Sequence, residues 1–191
     1  MSANSALHIL AIAGSLRKDS FNRRLLAAAV QMAGISGAEI DLVEPNQLQL
    51  PLYNADIESS EGIPLPVVAL QERIARADGL LIACPEYNHS IPGVLKNAID
   101  WVSRPPGNPF PDKIAALLGA STGASGAIRA LAHLRQVLTS RGVWVVPAQV
   151  TVPRAGEAIS GDGEIVDDAT RQQIGRSVAQ LLEQVRRVRG D

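Results

Sequence analysis

The chain is predicted to fold as a doubly wound α/β structure, a five-stranded parallel sheet with helices on both faces. Apolar runs recur at 7–13, broken only by His8, and without a break at 79–84 and 114–120. Segments with apolar residues at helical spacing alternate with them. Strands that are apolar on both faces belong in a parallel sheet covered on both sides. The 191 residues suit one domain, 1–191, large enough to bury a core without disulfides or metals.

The elements follow in order. Leu7–Ala13 reads as a buried strand. Asn22–Met32 reads as a helix with Leu25, Leu26, Ala29 and Val30 on one side. Ala38–Val43 is a second strand in which Ile40 and Leu42 alternate with polar neighbours. The stretch 44–66 contains Pro45, Pro51, Pro64 and Pro66 and is expected to be irregular; a loop this long in a compact domain is usually functional or mobile. Val67, Leu70, Ile74 and Ala77 repeat at helical spacing. Gly79–Cys84 is the third strand, and Pro92–Ser103 a helix with Pro92 in its first turn. Ile114–Ala120 is the fourth strand. Gly126–Ser140 follows as a helix, with Gly142 suited to its C-terminal cap. Val143–Val146 is the fifth strand, and Gln149–Val152 is expected to extend that edge beyond Pro147. A turn-rich loop, Gly156–Gly163, precedes a long helix, Asp168–Val188, whose stripe is Ile174, Val178, Leu181, Val185 and Val188. Five such units suggest flavodoxin-type winding, in which ligands sit at the carboxyl ends of the strands near the switch point.

Composition narrows the function. Aromatics are 3% of the chain, so the core is built from Ala, Val, Leu and Ile. A formal net charge of -1 gives no polyanion-binding surface, and Arg186, Arg187 and Arg189 sit where a helix C-terminus favours cations. Nucleic acid is not an expected partner. Cys84 is the single cysteine, which precludes an internal disulfide and fits a reducing compartment. Met1 to Ala6 has no basic segment, and the apolar run after it is too short for a signal peptide or a membrane span. The expectation is a soluble, cytoplasmic protein. No paired Cys/His spacing suggests a metal.

Three strand ends carry unusual loops. After the first strand comes Gly14-Ser15-Leu16-Arg17-Lys18-Asp19-Ser20-Phe21-Asn22. Glycine allows a tight turn, Ser15, Ser20 and Asn22 add donors, Arg17 adds fixed charge, and a helix N-terminus follows at once. A phosphate dianion suits that site. After the third strand comes Pro85-Glu86-Tyr87-Asn88-His89-Ser90-Ile91-Pro92-Gly93, with two prolines fixing its course and Tyr87 and Asn88 offering an aromatic face and amide contacts. After the fourth comes Ser121-Thr122-Gly123-Ala124-Ser125-Gly126, whose small residues let a flat ligand approach main-chain amides. Together these are shaped for a long, flat, singly phosphorylated ligand such as FMN.

Gly14-Ser15-Leu16-Arg17 with Ser20 and Asn22, then Pro85-Glu86-Tyr87-Asn88, then Pro92 through Trp101 (PGVLKNAIDW), resembles the NADPH-dependent FMN reductase family, which includes chromate, quinone and azo reductases. The resemblance covers about 7–150 and extends more weakly to the C-terminal helix; Gly161-Asp162-Gly163-Glu164 also resembles the family's late loop. It implies a flavodoxin-like fold, bound FMN, and NADPH or NADH as hydride donor. The acceptors implied are small molecules: quinones, azo or nitro compounds, chromate, free flavin or oxygen. It also implies a homodimer or homotetramer with the flavin near a subunit interface. By the same resemblance Ser15, Arg17, Ser20 and Asn22 bind the phosphate. Pro85, Glu86, Tyr87 and Asn88 line the ribityl chain and ring, and Ser121 and Gly123 border the flavin from the other side. No catalytic residue is required, since the hydride chemistry is on FMN.

Plainer roles compete for several of these residues. Arg17 could be a solvated surface arginine, Ser20 and Asn22 plain helix caps, and Tyr87 packing at a strand end. For Glu86 the backbone is favoured over the carboxylate, whose charge is unhelpful beside an electron-rich ring and is expected to face a partner subunit. His89 is expected to be exposed or hydrogen-bonded. Trp101, Asp100, His8 and His133 are expected to be structural. The 44–66 loop, with Tyr53, is a candidate roof.

Other activities lack parts. Gly119-Ala120-Ser121-Thr122-Gly123 matches a nucleophile elbow, but the only later histidine is His133 and no acid lies between. Cys84 heads a loop as in cysteine phosphatases, but the position where their arginine is expected is Ser90. Nucleotide-binding glycine motifs of the Walker and Rossmann types do not follow the first strand. The serious alternative is a flavodoxin-type electron carrier that does not oxidise NAD(P)H directly; such carriers usually show a strongly acidic docking face, and this chain is nearly neutral.

Overall fold

The computed structural model describes residues 6–104 and 107–190. The sequence reading of Met1 to Ala6 therefore lies, Ala6 apart, outside the described residues. Strand β1 (Leu7–Ala13) pairs in parallel with β2 (Ala38–Val43) on one side and β3 (Gly79–Ala83) on the other. β3 pairs β4 (Ile114–Ala120). The outer edge of β4 holds two short strands, β5 (Trp144–Val145) beside Ile114 and Ala115, and β6 (Val150–Val152) beside Leu118 to Ala120. The order β2-β1-β3-β4-β5 is the flavodoxin-type winding expected.

The fifth lane is thus split rather than continuous. Pro147 lies in the gap and has no amide hydrogen for the ladder. Side chains satisfy the groups left over. Arg135 donates to the carbonyls of Val145 and Val146 at 2.9 and 2.7 Å, and the Ser177 hydroxyl to that of Ala148 at 2.8 Å.

Each strand shares its residues between two layers because successive side chains point to opposite faces. Ile9, Ala11, Leu81 and Leu118 pack under α1 (Phe21–Ile35) and α7 (Asp168–Arg189). Leu10, Ile12, Leu80 and Leu117 pack under α3 (Leu65–Arg76), α4 (Gly93–Val102) and α5 (Ile128–Thr139). Of the C-terminal stripe, Ile174, Val178, Leu181 and Val185 are buried, but Val188 is 65% exposed and lies beyond the core.

The 44–66 stretch is more ordered than its prolines suggest. It holds a 3₁₀ turn, Pro45–Leu48, and helix α2 (Ala55–Glu61), capped by Asn54 accepting from the Asp56 amide at 2.9 Å. It is tied to α4: the Tyr53 amide donates to Asn97 Oδ1 at 2.8 Å, and Asn97 Nδ2 and Trp101 Nε1 both donate to the Pro51 carbonyl, at 2.9 and 2.8 Å. Asn97 and Trp101 of the PGVLKNAIDW motif are therefore fasteners. The turn-rich loop contains α6 (Ala155–Ala158) and an antiparallel bridge between Ile159 and Ile165. α5 starts at Ile128, two residues late, because Gly126 and Ala127 adopt φ of 59 and 67°. No helix among the described residues is long and apolar enough to cross a membrane.

Candidate functional site

The parallel register sets Ala13, Ala83 and Ala120 at one edge of the sheet, so the three loops after them face a common crevice. Gly14 begins the first loop, its amide donating to the Ala83 carbonyl at 2.8 Å. It is not in the left-handed region, and the need for glycine is proximity: a Cβ there would lie 3.0 Å from Leu95 Cδ2 on α4. Ser15 is buried and its hydroxyl accepts from the Arg17 amide at 3.4 Å. Ser20 occupies the N-cap of α1 with φ -78 and ψ 127°, yet its side chain makes no cap bond and no acid occupies the first turn. The first-turn amides of Phe21 and Asn22 have no helical carbonyl to meet. Asp19 lies toward Arg24 at 4.0 Å.

Asn22 lines the cleft, and its side chain is engaged within the protein. Its Nδ2 donates to the Ala120 carbonyl at 2.8 Å and its Oδ1 accepts from the Ala120 amide at 2.9 Å. The side chain therefore braces the start of α1 against the end of β4 and fixes the spacing of two loops.

In the second loop Pro85 is buried and Tyr87 is 45% exposed. Tyr87 and Ser90 exchange backbone hydrogen bonds of 3.0 Å each way, with Asn88 and His89 between them at φ of 48 and 65°. This is a two-residue hairpin with both central residues left-handed. The Glu86 carboxylate turns inward to α5 of the same subunit, contrary to the expectation that it faces a partner subunit. It accepts from Arg129 Nη1 at 2.9 Å and from the amides of Arg129 and Ala130 at 3.1 and 3.4 Å. Burial pushes its pKa up, but the Arg129 guanidinium and the two amides outweigh this and hold it below the ordinary value. In the third loop Gly123 is engaged at both ends, its amide by Ser121 Oγ at 3.1 Å and its carbonyl by the Arg154 amide at 3.0 Å.

These loops enclose a cleft of about 130 Å³. Ser15, Arg17, Ser20, Asn22, Pro85, Glu86, Tyr87 and Ser121 line it, together with Phe21, Ala120 and Thr122, which sequence reasoning passed over although each adjoins a named residue. Asn88 and Gly123 do not line it: Asn88 is at the exposed hairpin tip, and Gly123 is bound into its own loop. None of 44–66 lines it either, so that stretch is no roof within one subunit. Arg129 was not anticipated; it lies 43 residues from Glu86 and no local pattern marks it. Two wider hollows of about 390 and 410 Å³ border α1, but neither is formed by the three strand-end loops.

The donor set fits a phosphate ester. The cleft is smaller than the roughly 300–1,000 Å³ that encloses a whole drug-sized ligand. That volume accommodates a phosphate and a short length of chain, and Tyr87 borders its open side. The rival chemistries lack geometry: burial pushes the Cys84 thiol up to about 12, and His133 Nδ1 lies 3.0 Å from Ser90 Oγ, not beside Ser121.

The model of the family described as NADPH-dependent FMN reductase matches residues 7–157, a span that contains all three loops. The chain belongs to the NADPH-dependent FMN reductase family. An NAD(P)H-dependent FMN reductase of Pseudomonas aeruginosa is 43% identical, over 96% of this chain and 98% of the relative. A quinone reductase of Escherichia coli is 36% identical, over 96% and 97%. Among solved structures, the flavoenzyme NAD(P)H:(acceptor) oxidoreductase FerB of Paracoccus denitrificans superposes with a TM-score of 0.81 at 32% identity, over 95% of this chain and 98% of that one.

Proposed function

We propose that this FMN reductase family member holds FMN in the strand-end cleft, takes hydride from NAD(P)H, and passes the electrons to a quinone-class acceptor. The observation that supports the site most strongly is the uncapped start of α1 set beside Ser15 and Arg17. Ser15, Arg17, Ser20 and the Phe21 and Asn22 amides hold the phosphate, and Asn22 braces that cradle. Pro85, the Glu86 backbone and Tyr87 face the ring, with Ser121 and Thr122 as the opposite wall and Asn88 and Gly123 on the outer rim. Bound FMN supplies the hydride-transfer chemistry, and the chain supplies placement and electrostatics. The Ser121 and Gly123 amides are engaged within the protein, so the Asn88 and Thr122 amides are the main-chain donors on these loops that would meet negative charge on the ring.

Relatives named for quinones support that acceptor class, among them a 2-hydroxy-1,4-benzoquinone reductase of Burkholderia at 40% identity. Azo and nitro compounds, chromate and free flavin are further acceptors for a ring left open on one face. The exposed Tyr87 hairpin and the small cleft support a homodimer or homotetramer in which a second copy walls the ring. Both helix layers share one sheet, which supports reading 1–191 as one domain. We place the protein in the cytoplasm, without nucleic acid or membrane partners.

The test is the purified protein itself. Flavin absorbance bands, release of FMN on denaturation, and NADPH oxidation by a quinone without any added reductase are expected, with parallel initial-rate plots because donor and acceptor share one face. A flavin-bearing protein that oxidises NAD(P)H only with a separate reductase would return the electron-carrier reading.

A further inference from the structure

We propose that α5 is the mounting for the flavin-facing hairpin, and that Arg129 and His133 are positioning residues acting on the ring through Glu86 and Ser90. The inference rests on the cleft being the FMN site. Asn88 and His89 are both left-handed without being glycine, and such a turn persists only where its surroundings hold it. Both roots of the hairpin are held by one helix. Before the turn, Glu86 accepts from the Arg129 side chain and from two α5 amides. After it, Ser90 Oγ lies 3.0 Å from His133 Nδ1. Positions 129 and 133 are one helical turn apart, on one face. α5 has no capping side chain of its own, since its N-cap is Ala127 in the left-handed region. Glu86 takes that place from another loop.

The arrangement has an electrostatic consequence. Glu86 lines the cleft with its side chain only 8% exposed, so its negative charge opposes negative charge added to the ring. Arg129 offsets that charge at 2.9 Å while orienting the residue that precedes Tyr87.

The test uses reconstituted holoenzyme of Arg129→Ala, Arg129→Lys, Glu86→Gln, the Glu86→Gln/Arg129→Ala double variant and His133→Ala. Losing a charge-assisted bond predicts about tenfold weaker FMN binding in Arg129→Ala and a more negative midpoint potential for the bound flavin. Arg129→Lys restores the potential but not the full affinity, because it keeps the charge and loses the planar, fixed-direction donor that reaches Glu86 Oε1. The double variant binds FMN no more weakly than the poorer single variant. His133→Ala weakens FMN binding in the same direction by less. Wild-type affinity and potential in Arg129→Ala and Glu86→Gln, additive losses in the double variant, or lowered melting temperature with unchanged potential would each overturn the proposal. Arg17→Ala separates the two readings: if it leaves FMN binding intact, the cleft assignment fails, whereas weak binding there with normal Arg129 variants removes only the mounting.

Discussion

Arg17 stands beside a helix start whose N-cap hydroxyl is not used for capping, and this pairing decides what the loop can hold. Arg17→Ala is expected to weaken FMN retention by about tenfold or more, the cost of a charge-assisted contact. Its melting temperature should stay near wild type, because Arg17 is exposed; equilibrium dialysis and thermal melts check both halves. Ser121→Ala should remain active, since its hydroxyl serves the Gly123 amide and no chemical step; loss of turnover with flavin still bound would contradict this. Glu86 gives a pH prediction. Its folded pKa lies below the ordinary 4.5, so its stabilisation is present above that value and is lost as pH falls through the lowered one. Denaturant midpoints of Glu86→Gln should therefore fall less steeply on acidification than those of wild type. Ser15, Arg17 and Ser20 could be assigned to one cleft from sequence because all three lie on the single short loop between β1 and α1. Asn22 was only half legible, because the atoms it binds lie 98 residues away.

Helix α4 shows how an element joins sheet and surface. Its Trp101 is fully buried, donates to the Pro51 carbonyl at 2.8 Å, and meets the Tyr53 ring edge-on at 5.0 Å between centroids. Trp101→Phe loses that donor and leaves a void, and about 1–3 kcal/mol of stability is expected to go with them. Limited proteolysis should then cut first in 49–62, where the fastening is lost; unchanged protease resistance would show that Asn97 alone holds the segment. Strands β3 and β4 were legible as continuous apolar runs, and β1 as one interrupted only by the exposed His8, because burial on both faces leaves no polar alternation. The order within 44–66 was not, because α2 buries no residue of its own and is seven residues long. The break between β5 and β6 was foreshadowed by Pro147, but the side chains that close it come from α5 and α7 and have no local trace.

The whole molecule follows from strand direction. Parallel pairing gathers every β-strand carboxyl end at one edge, and only there do 15–22, 85–87 and 120–122 meet. One copy leaves the ring side open, so sedimentation should give a dimer or tetramer, with Tyr87 less accessible to chemical labelling in the assembly; a monomer at working concentration with full activity would remove the second copy from the site. The claim on which the rest depends is that the 15–22 loop grips a phosphate, and comparing FMN with riboflavin tests it most directly. Wild-type apoprotein is expected to bind FMN at least about a hundredfold more tightly than riboflavin, with the gap shrinking about tenfold in Arg17→Ala. Equal affinity for the two flavins in the wild-type protein would contradict the account.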